Sequence, residues 1–229
     1  MNNKIIWKNV DSTTIKGLLI SELPPISKPK MRVQETTIDG IDGSIIEELG
    51  YESYDKSISI GLTRDYDINE IIKYFSGTGN VVFSNESDKY YKATIIDQVD
   101  YERLLRFRTA NVRFRVQPFK YKLNEASVTL TKSGNVTNSG LETSKPRMTI
   151  TGSGTIELKV NGNTLFSYTF PDGETSVVID SEKQDAYVGA VLKNRNMSGE
   201  FPILNSGSNT IAWTGSVSKI VIEPNSRWL

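Results

Sequence analysis

The sequence predicts a mainly β protein of two sandwich domains, with a boundary near Lys122, and three observations lead there. Short segments of alternating apolar and polar residues recur along the chain, separated by turn residues about every ten positions, as in a sandwich and unlike a βαβ fold. At 229 residues the chain is long enough for two modest domains, each able to bury a core without covalent staples. Between Lys122 and Leu141 the texture turns to Asn, Ser, Thr and Gly, the composition of an extended connector or edge strand, so the domains are taken as 1–122 and 123–229.

In the first domain, Ile58, Ile60 and Leu62 alternate with Ser57, Ser59 and Gly61, which predicts a half-buried strand. The period then changes. Ile68, Ile71, Ile72 and Phe75 fall on one helical stripe, and Asp67 and Glu70 stand at N-cap and N3 spacing, so a short capped helix is expected before Gly77-Thr78-Gly79-Asn80. Val81 to Phe83, Tyr90 to Ile96 and Leu104 to Phe119 read as strands rich in β-branched and aromatic residues. In the last run Leu105 and Phe107 have one parity and Val112, Phe114 and Val116 the other. A bulge at Thr109-Ala110-Asn111 is the expected remedy, with Pro118 ending the strand.

In the second domain Met148 alternates with Ile150, then Ile156 with Leu158 and Val160, then Phe166 with Tyr168 and Phe170. Asn161-Gly162 between the last two runs is the strongest hairpin signal in the chain. Asp172-Gly173 marks a further turn. Ser176 to Asp180, Ile211 with Trp213, and Val217 to Glu223 supply the remaining strands.

Composition excludes more functions than it suggests. Hydrophobic residues at 37% and charged residues at 24% describe a chain that folds. Lys plus Arg and Asp plus Glu both number 27, which leaves no surplus cation for a long phosphate footprint. Lys4-Ile5-Ile6-Trp7-Lys8 is broken by charge too soon for a signal core or a membrane span, so the expectation is synthesis in a cytoplasm with no membrane insertion. With no Cys and no His, neither a thiolate nor an imidazole site can be built, and no cofactor or metal is expected.

The remaining constellations read as structure. Asp65-Tyr66-Asp67-Ile68-Asn69 begins like a calcium loop, but Glu70 replaces the required Gly and Ser76 the bidentate Glu, so a helix cap is expected. Glu47 and Glu48 point to opposite sides of an extended chain and cannot act as an acid/base pair. Gly77-Thr78-Gly79 and Gly152-Ser153-Gly154 lack the third glycine of a dinucleotide loop and read as turns. Three Asn-x-Ser/Thr triplets follow no secretory signal and carry no functional weight. Arg106 and Arg108, then Arg113 and Arg115, flank buried Phe residues on the strand reading, so with Arg103 they present either a solvated open face or a cationic docking strip.

Several stretches match a family. Pro24-Pro25-Ile26 precedes Lys28, Lys30 and Arg32; Asp39-Gly40-Ile41-Asp42-Gly43 leads into Gly50-Tyr51-Glu52; and Val116-Gln117-Pro118-Phe119-Lys120-Tyr121 follows. Further on come Asn138-Ser139-Gly140 before Ser144-Lys145-Pro146, then Ile179-Asp180-Ser181-Glu182 with Ala186-Tyr187, and Met197-Ser198-Gly199-Glu200-Phe201-Pro202. In this order they resemble the distal tail proteins of long-tailed phages of Gram-positive bacteria. The resemblance implies an N-terminal belt-like β-sandwich with a helix and a hairpin, and a C-terminal galectin-like sandwich. It implies a homohexameric ring, single or two rings back to back in isolation, at the tip of the tail tube. Its partners would be the tail-tube protein, the tail-tip or tail-lysin protein and receptor-binding proteins at the periphery, with DNA passing through the channel without specific binding. The location implied is the virion tail tip, and no enzyme activity is implied. An arm over residues 28–52 is the expected subunit or tube contact. The expected interface residues are Lys28, Lys30, Arg32, Asp39, Asp42, Tyr51, Arg106, Arg108, Arg113 and Arg115.

Two readings from other classes stand beside this one. A carbohydrate-binding module for host-wall adsorption would stack sugars on Tyr187, Trp213 or Trp228, although Trp213 alternates with Ile211 as a core residue would. The His-centred site of true galectins cannot be present. A wall-digesting glycosidase would need two carboxylates across a cleft, for which Asp172 and Glu174 are the residues to test.

Overall fold

A computed structural model of the chain describes residues 3–40 and 42–229; Ile41 of the Asp39-to-Gly43 motif lies outside the described residues. The chain is mainly β, as the alternation predicts. It divides into two compact units, one running to Leu123 and taking in Leu229, the other spanning Asn124–Trp228.

The first unit contains β1 (Ile5–Trp7), β2 (Val10–Asp11), β3 (Leu18–Glu22), β4 (Met31–Thr36), β5 (Ile45–Tyr51), β6 (Tyr54–Leu62), α1 (Ile68–Tyr74), β7 (Thr78–Phe83), β8 (Lys89–Thr94), α2 (Tyr101–Phe107) and β9 (Thr109–Lys122). Its sheet runs β2-β1-β7-β8-β9-β6-β3 with antiparallel neighbours, and β4 and β5 form a separate two-stranded sheet. Ile58 and Ile60 of β6 and Val112, Phe114 and Val116 of β9 point into one core, because residues two apart on a strand share a face. Trp7 and Phe83 meet Phe114 edge to face, with centroids 5.2 and 5.8 Å apart.

α1 is capped as expected, the Asp67 side chain accepting from the Asn69 and Glu70 amides. Glu70 does not reach back to complete a capping box; its carboxylate accepts the Lys16 amide at 3.2 Å. Ile71 and Phe75 are buried, but Tyr74 takes the place foreseen for Ile72, which is 42% exposed.

The parity change before β9 has a different cause from the expected bulge. Residues 101–107 are helical: Asp100 caps them by accepting the Arg103 amide at 2.8 Å, Glu102 meets Arg106 one turn on at 3.4 Å, and Leu104 is buried. Arg108 ends the turn in the left-handed region at φ 59°. The strand also continues through Pro118 to Lys122. Tyr91 pairs with Lys120 but Ala93 with Val116, so β9 carries extra residues opposite β8, and Pro118 sits in that irregularity where no ladder donor is needed.

The second unit contains β10 (Val128–Leu130), β11 (Gly134–Asn138), β12 (Arg147–Val160), β13 (Asn163–Thr169), β14 (Ser176–Asp180), β15 (Asp185–Val188), β16 (Val191–Leu192), β17 (Met197–Gly199) and β18 (Gly207–Glu223). The order is β10-β18-β12-β14-β15-β16, with β11 also on β18, β13 on β12 and β17 on β13. The long strands β12 and β18 change partners midway: β12 pairs β14 through its first part and β13 through its second. Gly152-Ser153-Gly154 is therefore a kink inside β12 and not a turn. A Cβ on Gly152 would stand 2.4 Å from the Ser216 carbonyl oxygen, so only glycine allows the two strands to cross there. Gly79 likewise lies within β7. The Asn161-Gly162 hairpin forms as predicted, with φ of 53° and 85°, the pair of positive angles a type I′ turn requires. Met148, Ile150, Leu158, Phe166, Ile179 and Ile220 are among the core residues of this unit.

Candidate assembly interface

The arm is the β4–β5 hairpin. Thr36 faces Ile45, Glu35 faces Ile46 and Gln34 faces Glu47, so Ile45, Glu47 and Leu49 share one side and Ile46 and Glu48 the other. From Arg32 to Gly50 every described residue except Ser44 is exposed. Asp39 and Asp42 stand at its tip beside Gly40 and Gly43, whose φ of 82° and 89° suit the turn.

Its root is fastened to the sheet. The Glu52 amide donates to the Lys30 carbonyl at 2.9 Å, and the Arg32 guanidinium donates across the hairpin to the Leu49 carbonyl at 2.9 Å. Tyr51 packs edge to face on Phe119 of β9 at 6.0 Å, and the Lys28 ammonium lies 5.8 Å from the Tyr51 ring centre. Three of the predicted interface residues, Lys28, Arg32 and Tyr51, thus hold the arm's own base, while Lys30 stays exposed. Just upstream, Asn85 donates to the Pro24 carbonyl at 2.9 Å and the Lys56 ammonium to the Pro25 carbonyl at 2.8 Å.

Lys56, one residue before the strand that the Ser57-to-Leu62 alternation predicts, is 2% exposed. Burial pulls its pKa down to about 8, with the Glu86 carboxylate restraining the fall and Lys120 adding to it. Its ammonium lies 5.0 Å from the Tyr91 ring centre. Glu86 accepts from Lys120 at 2.6 Å and from the Tyr91 hydroxyl at 2.5 Å. Burial alone would raise the Glu86 pKa, but the bonds from Lys120 and Tyr91 outweigh it and hold the carboxylate below its usual range.

The five arginines do not form one ladder. Arg103 and Arg106 stand on α2, and Arg108 at its end lies 5.1 Å from the Tyr66 ring and 3.4 Å from the Thr63 carbonyl. Arg113 and Arg115 do share the open face of β9, where carboxylates meet them: Arg115 is 2.7 Å from Asp55, and Arg113 3.3 Å from Asp97. The strand reading placed Arg106 and Arg108 beside them because the Asp100 cap and the Glu102–Arg106 spacing, the available helix signals, were outweighed by the β-branched composition that follows.

The groups considered for sugar chemistry are engaged or dispersed. Glu174 is held by Tyr168 at 2.6 Å and Lys193 at 2.7 Å, and these bonds outweigh burial to keep it ionised, the wrong state for a general acid. Tyr187 lies across from Val178, which pairs with Thr149 of β12; Trp213 lies across from Leu158, nine residues further along that strand, and packs against the core. They make no common platform. Among the described residues there is no group of three or more acidic side chains placed to hold a metal ion, and no helix is long and apolar enough to cross a membrane.

The described chain is two β units in tandem, and its conspicuous exposed feature is the β4–β5 hairpin of the first. No protein-family model matches the sequence, and no curated protein sequence matches it significantly. Solved structures do. The chain is similar over 100% of its length, and 100% of the other chain, to the crystal structure of Dit (gp 19.1) of phage SPP1, described as a paradigm of the hub adsorption apparatus in Gram-positive infecting phages; the TM-score is 0.72 at 14% identity. It is also similar to a chain of the phage P2 baseplate in its activated conformation with Ca, over 96% of each chain, with a TM-score of 0.51 at 10% identity. The fold is that of a phage distal tail protein, in line with the resemblance in the sequence.

Proposed function

We propose that the chain is a structural distal tail protein, a hub and not an enzyme. It closes as a homohexameric ring at the end of a phage tail tube and joins that tube to the tail-tip or tail-lysin protein. Receptor-binding proteins dock at its periphery, and DNA passes through its channel unbound. The N-terminal domain, taken from the sequence as residues 1–122, is the ring-forming belt, and the C-terminal domain, residues 123–229, is a galectin-like sandwich. The interfaces are drawn from the arm, with Lys28, Lys30, Arg32, Asp39, Asp42 and Tyr51, and from Arg106, Arg108, Arg113 and Arg115.

The observation that carries this reading is the full-length likeness to SPP1 Dit, which spans both units in order and not one sandwich alone. The arm supports it independently. A two-stranded hairpin exposed on both sides is marginal in water, and Val33, Ile45, Ile46 and Leu49 are 46–62% exposed, so the arm suits a protein completed by partners. The test is immunogold electron microscopy of phage or tail particles from the source strain with antibody raised against the second unit. Label confined to the distal end of tails supports the reading, and label along the tube or on heads contradicts it.

A further inference from the structure

We propose that the β4–β5 arm of one copy docks on α2 of the next copy, with Phe107 and Arg103 as the anchor. This rests on the ring reading above and names the contact that would close the ring.

The arm is an acidic, apolar object. Between Val33 and Leu49 the sequence holds five carboxylates and no Lys or Arg. On one side of the hairpin Ile45, Glu47 and Leu49 alternate, so an apolar strip carries an acid at its centre. α2 is its complement. Arg103 and Phe107 are one helical turn apart and lie side by side. Phe107 is 68% exposed, the most exposed aromatic among the exposed large hydrophobics of the described residues. Arg106 is taken up by Glu102, whereas Arg103 has no carboxylate within ion-pair reach among the described residues. An exposed aromatic beside an uncommitted arginine is the pairing that most often anchors an interface.

The occupant follows from charge and symmetry. Arm against arm would bring five carboxylates to face five others, which disfavours an isologous pair. Arm against α2 sets apolar on apolar and Glu47 towards Arg103, and since the two patches differ, the contact is heterologous and repeats around a closed ring.

Because the chain has no Cys, introduced thiols report the contact cleanly. Full-length protein carrying Leu49→Cys and Phe107→Cys, oxidised at the assembly concentration, is expected to give a covalent ladder that ends at the ring's copy number, while either single variant stops at a dimer or below. Glu47→Arg and Arg103→Glu are each expected to raise the concentration for half-assembly at least tenfold, and the two together to restore much of it, with far-UV spectra unchanged. Wild-type rings that persist in both charge variants, without a ladder from the double-Cys protein, would overturn this contact and leave the ring reading intact. A wild-type chain that never assembles overturns both. A ladder that forms only with added tail-tube protein would also overturn the self-contact.

Discussion

The Lys120 ammonium lies 2.6 Å from the Glu86 carboxylate with both side chains only 8% exposed, a charged pair inside a β sandwich. Tyr91 donates to the same carboxylate, and Lys56 sits over the Tyr91 ring while holding the Pro25 carbonyl. One carboxylate thus accepts from Lys120 and Tyr91 and attracts the Lys56 ammonium through space, and the chain leading to the arm is tied to that group of residues. Removing one partner from such a pair costs more than forming it gains, because an uncompensated charge stays behind.

Glu86→Gln is accordingly expected to destabilise the first unit by about 3–5 kcal/mol. Urea unfolding followed by hydrogen exchange at β6 and β9 measures it. A loss below about 1 kcal/mol would mean that the pair is solvated in practice.

Lys56 gives a pH signature of definite sign. Its folded pKa is about 8, against 10.5 in the unfolded chain, so between these values the unfolded state binds the extra proton and stability rises with pH. The full effect is about 3 kcal/mol at 1.36 kcal/mol per pKa unit. From near pH 10 the tyrosines reverse it: burial raises the Tyr54 pKa to about 12 and raises Tyr91 as well, so the unfolded chain loses those protons first. Denaturation midpoints of the first unit should climb between pH 8 and 10 and then fall. In Lys56→Met the climb should be absent.

Phe114 touches both Trp7 and Phe83 and is fully buried. Phe114→Ala is expected to cost about 3–5 kcal/mol and to lower amide protection in β6 and β9 while β12 and β18 keep theirs. Equal loss in both units would contradict their being separate cores.

Two glycines of similar φ separate strain from crowding. Gly215 (φ +86°) would place a Cβ 2.4 Å from the Thr155 carbonyl oxygen, whereas Gly173 (φ +81°) has open space there. Gly173→Ala is expected to cost ~1 kcal/mol for the left-handed backbone alone. Gly215→Ala should cost at least ~2 kcal/mol and loosen the β12–β18 crossing, as thermal unfolding of the second unit would report.

Much of the fold was legible because its signals are local. Ile58, Ile60 and Leu62 alternate, Asp67 caps, and Asn161-Gly162 turns, each from a few neighbouring residues. Two features depended on partners distant in sequence. Pro118 is tolerated inside β9 only because β8 is out of step there, and Gly152 is a crossing point only because Ser216 lies across from it. Leu104 to Phe107, the last four residues of α2, read as the start of a strand because Phe and Leu suit either element, and the cap at Asp100 is the weaker signal. The arm was placed by motif resemblance. Its acidity was readable in the sequence, but its meaning emerged only once α2 was a helix with Arg103 and Phe107 on one side.

Assembly of the chain as a ring is tested by the solution mass of the pure full-length protein, measured by light scattering, together with negative-stain imaging of the same sample. Annular particles with the mass of six or twelve copies are expected. A strict monomer at every concentration tested, with no annular views, would contradict it.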